Sequence, residues 1–294
     1  MPGIFLEHQD DAVIYVTEAC NSNCVMCPMS LASRKRGSKL SISDWNSIPD
    51  IIPKDVAHIT ITGGEPFLEH QQLAQFLQLA TLQYSRSEIL ILTNGRALSI
   101  DSIFDEIAPY ISNNICFAVP IHSSDSILHD TISQTDGSFL QTIRGLEKLK
   151  ATNAKVEIRI VGHQYNISHI SDTIKYLSNS GLRIDIINII AMEMTGCAAA
   201  NRDKLWVDYD RLCESALPGI RYAILHGINI GLYNFPFCMV PKELWPVVKD
   251  SITSYKIRFD NQCTNCRMRN ICGGLFYSTY ELGLCHVKPI EVLK

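Results

Sequence analysis

Between residues 12 and 192 the chain alternates short, almost uninterrupted apolar runs with longer stretches of helical spacing, which limits its possible folds severely. The runs are AVIYVT at 12–17, HITITGG at 58–64, EILILTNG at 88–95, ICFAVPIHS at 115–123, KVEIRIVG at 155–162 and RIDIINIIAM at 183–192. Residues 68–84, 101–111, 138–151 (with Ser138 placed to cap) and 168–180 carry helical periodicity between them. Strands apolar on both faces belong to parallel sheets covered by helices. Six such repeats predict an α/β domain, either wound as an open sheet or closed into a barrel. After residue 200 the pattern gives way to a tail with Pro218, Pro236, Pro241 and Pro246. The boundary is expected near 205–215, dividing the chain into a core, 1–210, and an extension, 211–294.

Composition narrows the function classes. The chain has 294 residues, 46% hydrophobic, with a net charge of −4, so it has material for a large core and no global basic patch for nucleic acid or anionic membrane. The run Arg34-Lys35-Arg36 with Lys39 reads as a solvated loop. No uncharged stretch approaches the ~20 apolar residues that span a bilayer. The start, MPGIFLEHQDD, lacks a secretory pattern. A cytoplasmic protein is expected.

Eleven cysteines in a reducing compartment point to metal or redox chemistry rather than disulfides. Cys116, Cys197 and Cys213 are isolated and read as buried packing residues. Cys20, Cys24 and Cys27 follow the first strand with gaps of three and two, and no fourth cysteine is near in sequence. Three thiolates in such a loop suit a [4Fe–4S] cluster with one iron left open. Zinc with a remote fourth ligand is the alternative. Gly63-Gly64-Glu65-Pro66 ends the second strand, and Thr93-Asn94-Gly95 the third. In barrels, chemistry gathers at these strand ends. The two glycines let backbone approach a ligand closely, and Glu65 or nearby carbonyls are placed to accept from an ammonium group.

Cys20-x3-Cys24-x2-Cys27 followed by GGEP resembles the radical S-adenosylmethionine (AdoMet) superfamily, over residues 10–200. The resemblance implies a partial (β/α)6 TIM-type barrel with a C-terminal cysteine-rich extension. It implies a catalytic [4Fe–4S] cluster whose open iron chelates AdoMet. It also implies an external electron donor and reductive cleavage to a 5′-deoxyadenosyl radical that abstracts hydrogen from substrate. Gly63, Gly64, Glu65 and Pro66 are then AdoMet contacts, with Asn94, Ser123 and Arg159 as further candidates. Asn94 also reads as a turn residue. Arg159 shares a strand face with Glu157, so it is either a fork for the AdoMet carboxylate or half of an ion pair. His122 and His129 are candidate acid–base groups.

In the tail, Cys263-x2-Cys266-x5-Cys272 resembles the SPASM and twitch extensions of radical AdoMet enzymes. It has fewer cysteines than a full SPASM domain and reads GGLF where a further one is expected. One auxiliary [4Fe–4S] cluster is expected, on Cys238, Cys263, Cys266 and Cys272, with Cys285 as the substitute for Cys238. Zinc, helped by His286, is again the alternative. The stretches AMEMTGCAAANRDKLWVD, LYNFPFCMVPKELWP and CTNCRMRNICGGLF resemble the smaller radical AdoMet maturase of His-Xaa-Ser peptide systems (HxsC-like). That implies a ribosomally made precursor peptide as substrate and a second radical AdoMet maturase as partner. A radical AdoMet enzyme for a protein active site or a metabolite stays open, as does a non-catalytic iron–sulfur or zinc scaffold.

Overall fold

The apolar runs form strands of one continuous sheet. The computed structural model describes every residue except 9, 252–253 and 291–294, so positions 252–253 and 291–294 of the expected extension lie outside the described residues. Strand β1 (Gly3–His8) pairs antiparallel with β2 (Asp11–Tyr15). Strands β3 (His58–Thr62), β4 (Glu88–Leu92), β5 (Ile115–Pro120), β6 (Lys155–Val161), β7 (Ile186–Ile190), β8 (Asn229–Tyr233) and β9 (Val248–Lys249) then add in parallel. Among the described residues these nine strands follow one another in sequence order. Sequential parallel order is what repeated crossovers of one hand produce, and it is the order of a partial barrel.

Alternation along the strands separates two faces. Ile14, Ile59, Ile61, Ile89, Ile91, Phe117, Val119, Ile158, Ile160, Ile187 and Ile189 are buried and form the core with the covering helices. The opposite parity carries Tyr15, Thr60, Leu90, Cys116, Glu157, Arg159, Asn188 and Tyr233, polar positions among apolar ones.

Among the described residues this body has the helices α1 (Leu31–Arg36), α2 (Ile42–Ile51), α3 (His70–Gln83), α4 (Asp101–Ile107), α5 (Ser126–Ser133), α6 (Ser138–Leu149), α7 (Ile170–Asn179), α8 (Gly196–Ala200), α9 (Arg202–Leu205) and α10 (Tyr209–Leu225). The first two lie in a stretch where the sequence reading places no element. Helix α1 is set by local capping: the Ser30 side chain accepts from the Ser33 amide, and Gly37 closes it at φ +61°. Helix α2 starts with a capping box between Ser41 and Asp44 and buries Trp45 and Ile48. The basic run is therefore helical. Arg34 is buried, Arg36 pairs with Glu18 at 2.7 Å and Lys39 with Glu69 at 3.0 Å.

Helix α6 is capped differently from expectation. Gly137 occupies the N-cap, and Asp130 takes the Gly137 and Phe139 amides and the Ser138 hydroxyl. The repeat also runs past residue 200. Helix α10 packs on α7 and returns the chain to β8, which pairs with β7, so the sheet crosses position 210. Pro218 inside α10 and Gly231 inside the short β8 mask the periodicity there. Beyond β9, β10 (Ile257–Arg258) and β11 (Leu275–Phe276) pair antiparallel, and α11 (Tyr277–Glu281) follows.

Candidate active site

The loop after β2 carries Cys20, Cys24 and Cys27 at the C-terminal edge of the sheet, and its backbone is tied on two sides. The amides of Asn23 and Val25 donate to the Ser133 and Ile132 carbonyls at the end of α5, at 2.9 and 3.0 Å. On the other side, the Cys197 and Ala198 amides at the start of α8 donate to the Cys27 carbonyl. The Asn201 amide nitrogen Nδ2 reaches the Val25 carbonyl at 2.9 Å. Gly196, at φ +55°, makes this contact possible, since a Cβ there would sit 2.3 Å from the Pro28 carbonyl oxygen. The small-residue stretch TGCAAA thus packs on the cysteine loop itself.

The three thiols are half-buried. Burial pushes Cys20 up to about 11 and Cys24 up to about 12, and it raises Cys27 as well. Thiols held this far above neutrality are poor free nucleophiles. They ionise when a metal takes the proton's place. An iron–sulfur cluster offers each of three such thiolates its own iron. The donor set therefore fits an iron–sulfur cluster.

GGEP lies against the same loop, and its glycines pack closely on that loop's backbone. The Gly64 amide donates to the Thr17 carbonyl at 2.6 Å and the Glu65 amide to Ala19 at 2.8 Å. A Cβ on Gly64 would fall 2.1 Å from the Ala19 oxygen, and one on Gly63 (φ +148°) 2.5 Å from the Thr17 oxygen. Pro66 is buried and opens the short 3-10 turn Pro66–Glu69. The Glu65 carboxylate is fully buried and already accepts from Thr93 Oγ1 at 2.7 Å and from the Asn94 and Phe67 amides at 2.8 and 3.1 Å. Burial raises its pKa against these donors. Glu65 staples the end of β3 to that of β4; it is not free for an ammonium group as expected from sequence.

Asn94 serves both its turn and the loop: Oδ1 accepts from the Arg96 amide, and Nδ2 donates to Asn21 Oδ1 at 2.6 Å and approaches Cys20 Sγ at 4.0 Å. Arg96 donates to the Asn21 carbonyl and to Ser22 Oγ. Ser123 is fully buried, its hydroxyl accepting from the Asp125 amide in the turn into α5. Of the two readings of Arg159, the structure displays the ion pair, Nε to Glu157 Oε1 at 2.6 Å.

His122 and His129 are brought to the cysteine loop, with His163 beside them, a residue that the sequence did not single out. His122 Nε2 lies 3.9 Å from Cys24 Sγ, and His129 Nδ1 accepts from the His122 amide. Burial first lowers all three, with His129 and His163 down to about 4. They are neutral packing groups near pH 7 rather than poised acids. An unfolded histidine titrates near 6.5. As pH falls through 6.5 toward 4 the unfolded chain takes up protons that the native one refuses, so stability present above 6.5 is lost on that descent. Urea unfolding of the apoprotein is expected to show a loss on the order of 2 kcal/mol per histidine by pH 5. His163→Phe is expected to flatten the slope.

In the tail, Cys238, Cys263, Cys266 and Cys272 line one narrow cavity with Phe237, Phe259 and Ile290. Cys285 is not part of its wall; burial and the nearby Asp208, Cys238 and Asp210 push its thiol to about 12. His286 is exposed.

The Radical SAM superfamily profile matches residues 14–177, more than half of the chain. Among curated proteins, the sporulation killing factor maturation protein SkfB of Bacillus subtilis is 24% identical over 267 residues, 88% of this chain and 60% of its own length. The antilisterial bacteriocin subtilosin biosynthesis protein AlbA of the same species is 24% identical over 58% of this chain and 37% of its own. The chain therefore spans about a third to three-fifths of these relatives. Among solved structures, Streptococcus suis SuiB bound to precursor peptide SuiA superposes with TM-score 0.57 at 17% identity, over 77% of this chain and 49% of that one, a likeness of fold. No helix among the described residues is long and apolar enough to cross a membrane. With its partial barrel and three-thiol loop, the chain belongs to the radical SAM superfamily.

Proposed function

We propose that this protein cleaves AdoMet reductively and uses the resulting radical to modify a ribosomally made peptide. The observation that carries the chemistry is the three-thiol loop at the strand ends, braced from α5 and α8 with no fourth cysteine in it. Cys20, Cys24 and Cys27 would hold the catalytic [4Fe–4S] cluster, which when bound supplies the electron that splits AdoMet into methionine and a 5′-deoxyadenosyl radical. The residues of this chain then bind and exclude water. Gly63, Gly64, Glu65 and Pro66 shape the floor beside the loop, with Glu65 acting by holding Asn94. Arg159 and Glu157 present charge on the inner face of the sheet, where a substrate backbone can hydrogen-bond.

A peptide substrate is supported by the names of SkfB and AlbA, a maturation and a bacteriocin biosynthesis protein, and by SuiB, whose structure holds its precursor peptide. The His-Xaa-Ser resemblance of the tail adds a second radical AdoMet maturase as partner, with an electron donor. The test is coexpression with a neighbouring precursor peptide and that partner, followed by mass spectrometry. Omitting this protein changes the peptide's mass or fragmentation if the reading holds. A peptide identical with and without it, together with a metabolite that drives 5′-deoxyadenosine formation, contradicts it.

The extension, 211–294 by sequence, would carry one auxiliary [4Fe–4S] cluster on Cys238, Cys263, Cys266 and Cys272. The shared cavity supports Cys238 over Cys285, and the exposed His286 offers no help to zinc. Four thiolates close such a cluster to substrate, leaving electron relay as its role. Anaerobically reconstituted protein should hold about eight irons, two cubanes, and the Cys263→Ala/Cys266→Ala variant about half as many. Stoichiometric zinc with only one cluster's iron contradicts this assignment.

A further inference from the structure

The basic run on α1 contains a charge that the described residues leave without an anion. Arg34 is 9% exposed. Its Nη1 donates to the Ser22 carbonyl at 3.1 Å, its Nη2 lies 3.0 Å from Cys197 Sγ, and its Nε is buried with no partner. No carboxylate pairs with it among the described residues, although Arg36 and Lys39 on the same run each find one. A guanidinium does not shed its proton in a protein. Burying it against a carbonyl and a cysteine sulfur with no carboxylate therefore carries a large desolvation cost unless an anion arrives.

The position of Arg34 indicates where that anion forms. Ser22 lies between Cys20 and Cys24, and the Cys197 amide donates to the Cys27 carbonyl. Arg34 thus spans both ends of the three-thiol loop, through the Ser22 carbonyl on one side and Cys197 on the other. Three thiolates on an oxidised [4Fe–4S] core leave a net anion, and reduction adds another negative charge. A fixed cation beside the loop stabilises the reduced form more than the oxidised one.

We propose that Arg34 is the built-in counter-charge of the cluster held by Cys20, Cys24 and Cys27, raising its reduction potential and making its assembly favourable. The proposal rests on the ligand assignment above. Arg34 is a positioning residue, remote from substrate chemistry, and its mark is a potential rather than a turnover number.

The test is an anaerobic redox titration of the reconstituted protein followed by electron paramagnetic resonance. The signal tracked is the one absent from the Cys20→Ala/Cys24→Ala/Cys27→Ala variant. In Arg34→Gln, which keeps hydrogen-bonding capacity and loses the charge, the reduced-to-oxidised ratio at a fixed potential should fall at least tenfold, about 59 mV for a one-electron couple. Arg34→Lys should recover most of it, and Cys197→Ala should titrate with the wild type. Arg34→Gln titrating with the wild type, or Arg34→Lys displaced as far as Arg34→Gln, overturns the proposal in favour of a purely structural brace. A positive shift in Cys197→Ala overturns it in favour of a Cys197 thiolate as the partner. If the triple-cysteine variant keeps every signal, the ligand assignment falls and the proposal with it. Unfolding gives a second reading that needs no loaded variant: Arg34→Met apoprotein should be at least as stable to urea as wild-type apoprotein. Destabilised Arg34→Met apoprotein contradicts an uncompensated charge.

Discussion

Replacing Cys20, Cys24 and Cys27 together by alanine is expected to abolish 5′-deoxyadenosine formation, down to the level seen without enzyme, while the fold persists. The loop is held by backbone bonds that no thiol makes: Asn23 and Val25 to the end of α5, and Cys27 to the start of α8. Half-buried thiols contribute little packing, so circular dichroism should match the wild type. About half of the iron should be lost, because the tail cavity keeps its own four thiols. The measurement is chromatographic assay of 5′-deoxyadenosine with dithionite and AdoMet, beside iron and sulfide analysis. Cleavage that persists in the triple variant refutes the assignment.

The second large effect is expected from Gly64→Ala. The methyl group would lie 2.1 Å from the Ala19 oxygen, with the Glu18 oxygen at 2.7 Å. Both are backbone atoms, so no rotamer relieves the clash. The chain must open between the ends of β2 and β3, losing the hydrogen bonds from Gly64 to Thr17 and from Glu65 to Ala19. Strain with lost buried hydrogen bonds costs on the order of 3 kcal/mol or more. Ala19 adjoins Cys20, so the same displacement moves the first ligand. Lower urea midpoints and less than half the wild-type iron on the first cluster are the expected pair of results. Wild-type stability with weakened AdoMet binding would instead mean that the glycines serve ligand approach.

That contrast shows what sequence could and could not reveal. Strands β2 to β7 were legible because helices cover one face and the barrel interior the other, leaving runs such as EILIL almost without polar residues. The cysteine loop and GGEP were legible because their spacing is local. The role of Glu65 was not: its partners Thr93 and Asn94 stand at the end of another strand. Helix α1 has only six residues and α2 carries Pro49, which masks its helical pattern, so their caps, Ser30 with Gly37 and Ser41 with Asp44, are the local signals for them. Arg34 was misread because a run of three cations looks solvated. Its burial depends on Cys197, 163 positions away, which α8 folds back against the loop. Spacing could not choose between Cys238 and Cys285, because both are brought to the tail's cysteines only by the fold; Cys238 shares a cavity wall with Cys263, Cys266 and Cys272.

The most direct test of the account follows hydrogen from substrate to cofactor. A precursor peptide deuterated along its core would be incubated anaerobically with reconstituted protein, its partner maturase, reductant and AdoMet, and 5′-deoxyadenosine examined by mass spectrometry. The account predicts 5′-deoxyadenosine carrying deuterium, with the label lost when this protein's Cys20, Cys24 and Cys27 are alanine. Unlabelled 5′-deoxyadenosine from the wild-type reaction, beside an unchanged peptide, would contradict it.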